Sequence, residues 1–221
     1  AILHEMMVVT GGKKAGKESF TDRLTKLEII GVYSPIGHEM QMPFSMVLSS
    51  VLAKQRRILY INLMQNTGFL QLFDSQAEYD IGDLTLRLRR GTTESEQFFQ
   101  SIYEMGDFSY VAPFRNPEQL GEFQMDDYRK LLAHLEENTK FDTVVFDFGT
   151  GIPSIAAFLE ECSSIYCPAK EGYFYECQKA EFVHYLEQVK PDGMSERLQF
   201  VNLPFTAKGS RGGGNMLEQL V

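Results

Sequence analysis

The stretch EIIGVYSPIGHEMQMPF, residues 28–44, joins a short β-branched and aromatic run to the start of a helix. Glu28–Ser34 predicts a buried strand. Phe44–Gln55 predicts a helix, because Phe44, Val47, Leu48, Val51 and Leu52 share one face at helical spacing. In open α/β sheets ligands bind beyond the carboxyl ends of the strands. The loop 34–44 is therefore where backbone N–H groups and a helix N-terminus would face an anion such as phosphate.

Outward from this unit the pattern repeats. Strand-like runs are expected at Ile58–Leu63, Phe108–Ala112, Thr143–Phe148, Ser164–Cys167 and Leu198–Leu203. Amphipathic helices are expected at Met125–Glu137 and Tyr173–Val189. Most of the strands are apolar on both faces, as in a sheet covered by helices on each side. The expected fold is α/β, a mostly parallel, doubly wound sheet with right-handed crossovers.

Composition bounds the rest. The chain has 221 residues, 43% of them apolar and 23% charged, which is ordinary globular composition and enough for one large core. Its net charge of −9 disfavours nucleic acid as a partner, because that binding needs a cationic surface. No apolar run is long enough to span a bilayer and no signal peptide is evident, so a cytoplasmic location without membrane insertion is expected; peripheral association stays open. Cys162, Cys167 and Cys177 fit neither a disulfide framework nor a zinc spacing and are expected as free thiols. The four histidines are scattered, and no metal site is expected.

With these runs in place, GVYSPIG, RRILYINL and FDTVVFDFGTGIP resemble the MinD/ParA superfamily of deviant P-loop ATPases over about residues 28–205. The nearest likeness is to the CpaE/TadZ pilus-assembly branch. The resemblance implies a P-loop NTPase fold of the SIMIBI type. It also implies that residues 1–27 are a linker and the end of an upstream, receiver-like domain. Residues 28–221 would then be a single MinD/ParA-like domain truncated near its last helix.

Set against G-x-x-x-x-G-K-[ST], the loop departs at every defining position. Pro35 and Met40 stand where the glycines belong, Gln41 where the lysine belongs, and Met42 where the Ser/Thr belongs. The additional lysine of the deviant family falls on Ile36. Gln41 supplies no ammonium for the phosphates, Met42 no hydroxyl for Mg²⁺, and Pro43 no N–H. Part of the acidic imbalance thus arises at the site itself. In the second strand Asn62 replaces an acidic residue. No catalytic residue is assigned. The remnant nucleotide pocket implied by the family would be Gly37, His38, Asp147 and Asn202, with Asn202 at the adenine-reading position; Asp147 also fits a cap or turn residue. The expected function is a catalytically inactive, pseudo-ATPase domain acting as a localisation or assembly scaffold with protein partners, as a homodimer, and without a cofactor. The alternative is a switch that binds ATP and Mg²⁺ without turnover.

Gly11–Lys17 satisfies G-x-x-x-x-G-K but is followed by Glu18 and lies too close to the next strand, so it is expected to be a linker. The arginines of Leu84–Arg90 suit a helix C-terminus. Met40, Met42 and Met46 are expected to fill the vacated phosphate site.

Overall fold

A computed structural model gives the fold and describes residues 27–91, 98–190 and 193–203. All of them belong to one compact unit. The expected linker and upstream segment as far as residue 26, the Gly11–Lys17 stretch within it, and residues 204–221 lie outside the described residues.

Seven strands form one sheet: β1 (Glu28–Tyr33), β2 (Ile58–Leu63), β3 (Ile102–Met105), β4 (Phe108–Val111), β5 (Thr143–Phe148), β6 (Ser164–Ala169) and β7 (Leu198–Asn202). Their spatial order is β3-β4-β2-β5-β1-β6-β7. All neighbours are parallel except β3, which pairs antiparallel with β4, Ile102 opposite Val111. The six expected strands are all present. β3 was not expected: IYEM carries a glutamate and sits half-buried on the sheet edge, so it lacks the continuous apolar run of a central strand.

The helices are α1 (Gln41–Ala53), α2 (Phe69–Leu72), α3 (Ile81–Arg90), α4 (Met125–Asn138), α5 (Ile155–Glu160) and α6 (Tyr173–Val189). Successive side chains of a strand point to opposite faces, and β5 shows the consequence. Phe146 and Phe148 face α4, where Tyr128 meets them edge-on at 4.8 and 6.1 Å between ring centroids. Asp147, between them, points to the opposite face, where Gln41 of α1 meets it. On that face Ser45 and Ser49 are buried and return their hydroxyls to the carbonyls four residues back, Ser45 to Gln41 and Ser49 to Ser45.

Two of the three arginines at the end of α3 make structural contacts. Arg89 makes a bidentate pair with the nearly buried Asp127 at 2.6 Å on both arms, and Arg87 lies over the Tyr79 ring. α3 itself begins at a capping box between Asp80 and Asp83.

Candidate functional site

α1 starts at Gln41, three residues before the apolar periodicity does, because Gln41 and Met42 are buried against the end of the sheet. This puts position 41 at the mouth of the loop between β1 and α1, above β5. The Gln41 carboxamide there bridges two strands. Its Nε2 donates to Asp147 Oδ1 at 2.6 Å and to the Phe148 carbonyl at 2.9 Å, and its Oε1 accepts from Ser34 N at 2.9 Å. Met64 Sδ lies 3.5 Å from the same Nε2.

The loop closes on itself in the same way. Gly37 N donates to Ser34 O, His38 N to Ser34 Oγ, Met40 N to His38 Nδ1 and Gln41 N to His38 O, all at 2.9–3.1 Å. Ser34 Oγ in turn donates to the Pro168 carbonyl of β6 at 2.7 Å. Gly37 takes φ +63, a conformation glycine adopts without strain, and turns the loop back toward the helix. Because Nδ1 of His38 accepts a hydrogen bond, the neutral ring carries its proton on Nε2. Burial pushes the His38 pKa down. Beside it Glu39 pairs with Lys170 of the β6–α6 loop at 2.5 Å, which ties the loop to the next crossover.

Asp147 is fully buried. Tyr60 Oη donates to its Oδ2 at 2.9 Å, so both carboxylate oxygens are held by neutral donors, and no ion pair reaches it among the described residues. Burial raises its pKa from 3.8 to about 6, and the bonds from Gln41, Tyr60 and Ser45 pull the other way without offsetting it. Burial, and after it this carboxylate, pushes the Tyr60 hydroxyl well above its ordinary range.

The four expected pocket residues separate into two groups. His38 packs toward the end of β7, near the Leu203 backbone, while Gly37 is exposed at the turn. Asn202 is exposed at the last register position of β7, opposite Ala169. Asp147 lies three strands away across β1 and β6, about 14 Å at ordinary strand spacing. Asp147 is neither a cap nor a turn residue; it lies within β5 and anchors the Gln41 carboxamide. The side chain that fills the cradle is Gln41, whereas Met42 and Met46 are buried along α1 and Met40 is half-buried.

Sequence reasoning marked Gln41 as a missing lysine and did not find its bridging role. Tyr60 was also missed, although strand alternation places it on the Asn62 face of β2. Asn62 itself is buried and accepts from Met64 N, capping the strand end. Gly149 has a packing reason: a Cβ there would come within 2.9 Å of Met64 Cα. Cys162, Cys167 and Cys177 are free thiols, the first two buried and the third exposed. Among the described residues no His/Cys/Asp/Glu group is arranged to hold a metal ion, and no helix is long and apolar enough to cross a membrane.

No family model and no curated protein matches the chain. Solved structures do. A ParA family ATPase from Chlorobium tepidum superposes with a TM-score of 0.61 at 12% identity, covering 79% of this chain and 73% of that one. A plasmid partition protein from Borrelia burgdorferi, solved with AMPPNP, gives 0.62 at 13%, covering 88% and 81%. MinD in its complex with MinC from Aquifex aeolicus gives 0.58 at 13%, covering 78% and 67%. The sheet order, the crossovers and these superpositions together give this chain the fold of the ParA and MinD ATPases.

Proposed function

We propose that the chain is a non-catalytic member of this fold, a pseudo-ATPase domain that serves as a localisation or assembly scaffold through protein contacts. The observation that carries the reading is the Gln41 bridge. Phosphoryl transfer depends on positioning and charge neutralisation by a lysine, a metal-binding hydroxyl and free backbone donors. Here the lysine position holds a neutral amide already bonded to Asp147 and Ser34. The hydroxyl position holds Met42, and four loop N–H groups donate within the loop. These residues do not fit a Mg²⁺-nucleotide. The sequence likeness to the CpaE/TadZ branch supports pilus assembly as the setting for the scaffold, and the dimers implied by the MinD/ParA resemblance support a nucleotide-independent homodimer as its form.

Calorimetric titration of the chain with ATP and ADP, with and without Mg²⁺, tests the reading. No heat at high micromolar nucleotide is expected. Tight Mg²⁺-dependent binding would replace the scaffold with a switch, and turnover abolished by Asp147→Ala would defeat both.

A further inference from the structure

We infer that the outer face of α6 is a docking surface for a cationic, amphipathic segment of a partner protein. The inference rests on the scaffold reading for its purpose and on the structure of α6 for its content. Of the 17 residues of α6 only Phe182 and Leu186 are buried. Tyr173 and Phe174 are 88% and 68% exposed, and Tyr185 and Val189 are partly exposed at 39% and 44%. An outer helix of a doubly wound fold ordinarily turns polar residues outward. This one presents three aromatic rings, two of them on the turn that leaves β6 at the same sheet end as the closed loop. Exposed aromatic side chains of this kind anchor protein interfaces at low entropic cost.

Charge selects the occupant. Lys179 is spent on Glu176 at 2.6 Å and lies over the Phe200 ring, and Lys190 is spent on Glu160 at 2.5 Å. Glu171, Glu181 and Glu187 are exposed and make no ion pair among the described residues. At 100° per residue, Phe174, Glu181 and Tyr185 fall on one flank of the exposed face and Glu187 on the other, so the rings are bordered by carboxylates. A second copy meeting α6 with its own α6 would set carboxylate against carboxylate. An anionic bilayer would be repelled in the same way. A Lys/Arg-bearing helix with an apolar stripe satisfies both the rings and the charge.

The experiment titrates the full chain with a fluorescent, amphipathic Leu/Lys helical peptide. Its controls are the Leu/Glu counterpart, a scrambled Leu/Lys peptide whose leucines share no face, and phosphatidylserine vesicles. Only the amphipathic Leu/Lys peptide is expected to bind, more weakly as salt rises. Tyr173→Ser with Phe174→Ser, and separately Glu181→Lys with Glu187→Lys, are each expected to weaken it at least about tenfold, with circular dichroism unchanged. Undiminished binding to either variant would overturn the inference. So would equal binding of the Leu/Glu or scrambled peptide or the vesicles, or a concentration-dependent dimer lost in the Tyr173/Phe174 variant. Titrating ATP on the same protein separates the two readings. Nucleotide uptake defeats the scaffold reading and leaves the α6 result standing; failure at α6 without uptake defeats only the docking surface.

Discussion

An ionised carboxylate at position 147 is held by neutral donors alone, and that arrangement has a pH signature. Its folded pKa of about 6 lies above the 3.8 of an exposed aspartate. Between these values the folded chain retains a proton that the unfolded chain has released. Stability from this residue is therefore full below about pH 4 and is lost as pH rises through 6, by about 3 kcal/mol in all. Asp147→Asn keeps an acceptor for Gln41 Nε2 and turns the Tyr60 bond round, its N–H donating to the Tyr60 hydroxyl oxygen. It is expected to raise stability at pH 7.5 by about 1–3 kcal/mol and to flatten the loss between pH 4 and 6, read from urea denaturation across that range. A variant clearly less stable than the parent at pH 7.5 would mean that the carboxylate is favoured there. Gln41→Ala is expected to act in the opposite sense. It strands Ser34 N and a buried carboxylate, costing about 2–4 kcal/mol at pH 7.5 and less at pH 5, where Asp147 is protonated. The sequence exposed the vacancy at position 41 but not its filling. A carboxamide that donates to one strand and accepts from another is a tertiary arrangement, and no spacing within the loop encodes it.

At the scale of elements, the sequence was most legible where burial is complete. β2 and β5 are buried along their whole length, and their apolar runs mark their bounds to the residue. The edge strand β3 and the short helices α2 and α5 were hidden for the converse reason: each is too brief or too exposed to show a period. The α3–α4 contact is set by a charge that the periodicity could not assign. Although burial pushes the Asp127 carboxyl up, the Arg89 guanidinium and the Gln124 N–H more than offset it and hold it below the ordinary range. Asp127 also closes the α4 capping box, so Arg89 orients a group that helps to start the helix. Arg89→Met is expected to lower stability by about 1–3 kcal/mol, and Arg89→Lys to recover only part of it, because an ammonium cannot reproduce two parallel bonds. Equal stability of the Lys variant and the parent in chemical denaturation would show that the fork geometry is unimportant.

For the whole molecule, the fold places the carboxyl ends of six parallel strands on one edge, the position at which this architecture takes its ligands. In this chain that edge is closed by its own residues. Gln41 spans β1 and β5, Ser34 reaches β6, and Glu39 reaches the loop beyond β6. Tyr173 and Phe174, exposed at the start of α6, lie at this same end of the sheet. Amide hydrogen exchange across residues 34–41, in the free protein and with millimolar Mg²⁺-ATP, tests this account most directly. The N–H groups of Ser34, His38, Met40 and Gln41 are predicted to be protected without nucleotide and unchanged by it. Rapid exchange in the free protein, slowed when Mg²⁺-ATP is added, would show an open loop that closes on nucleotide and would contradict the account.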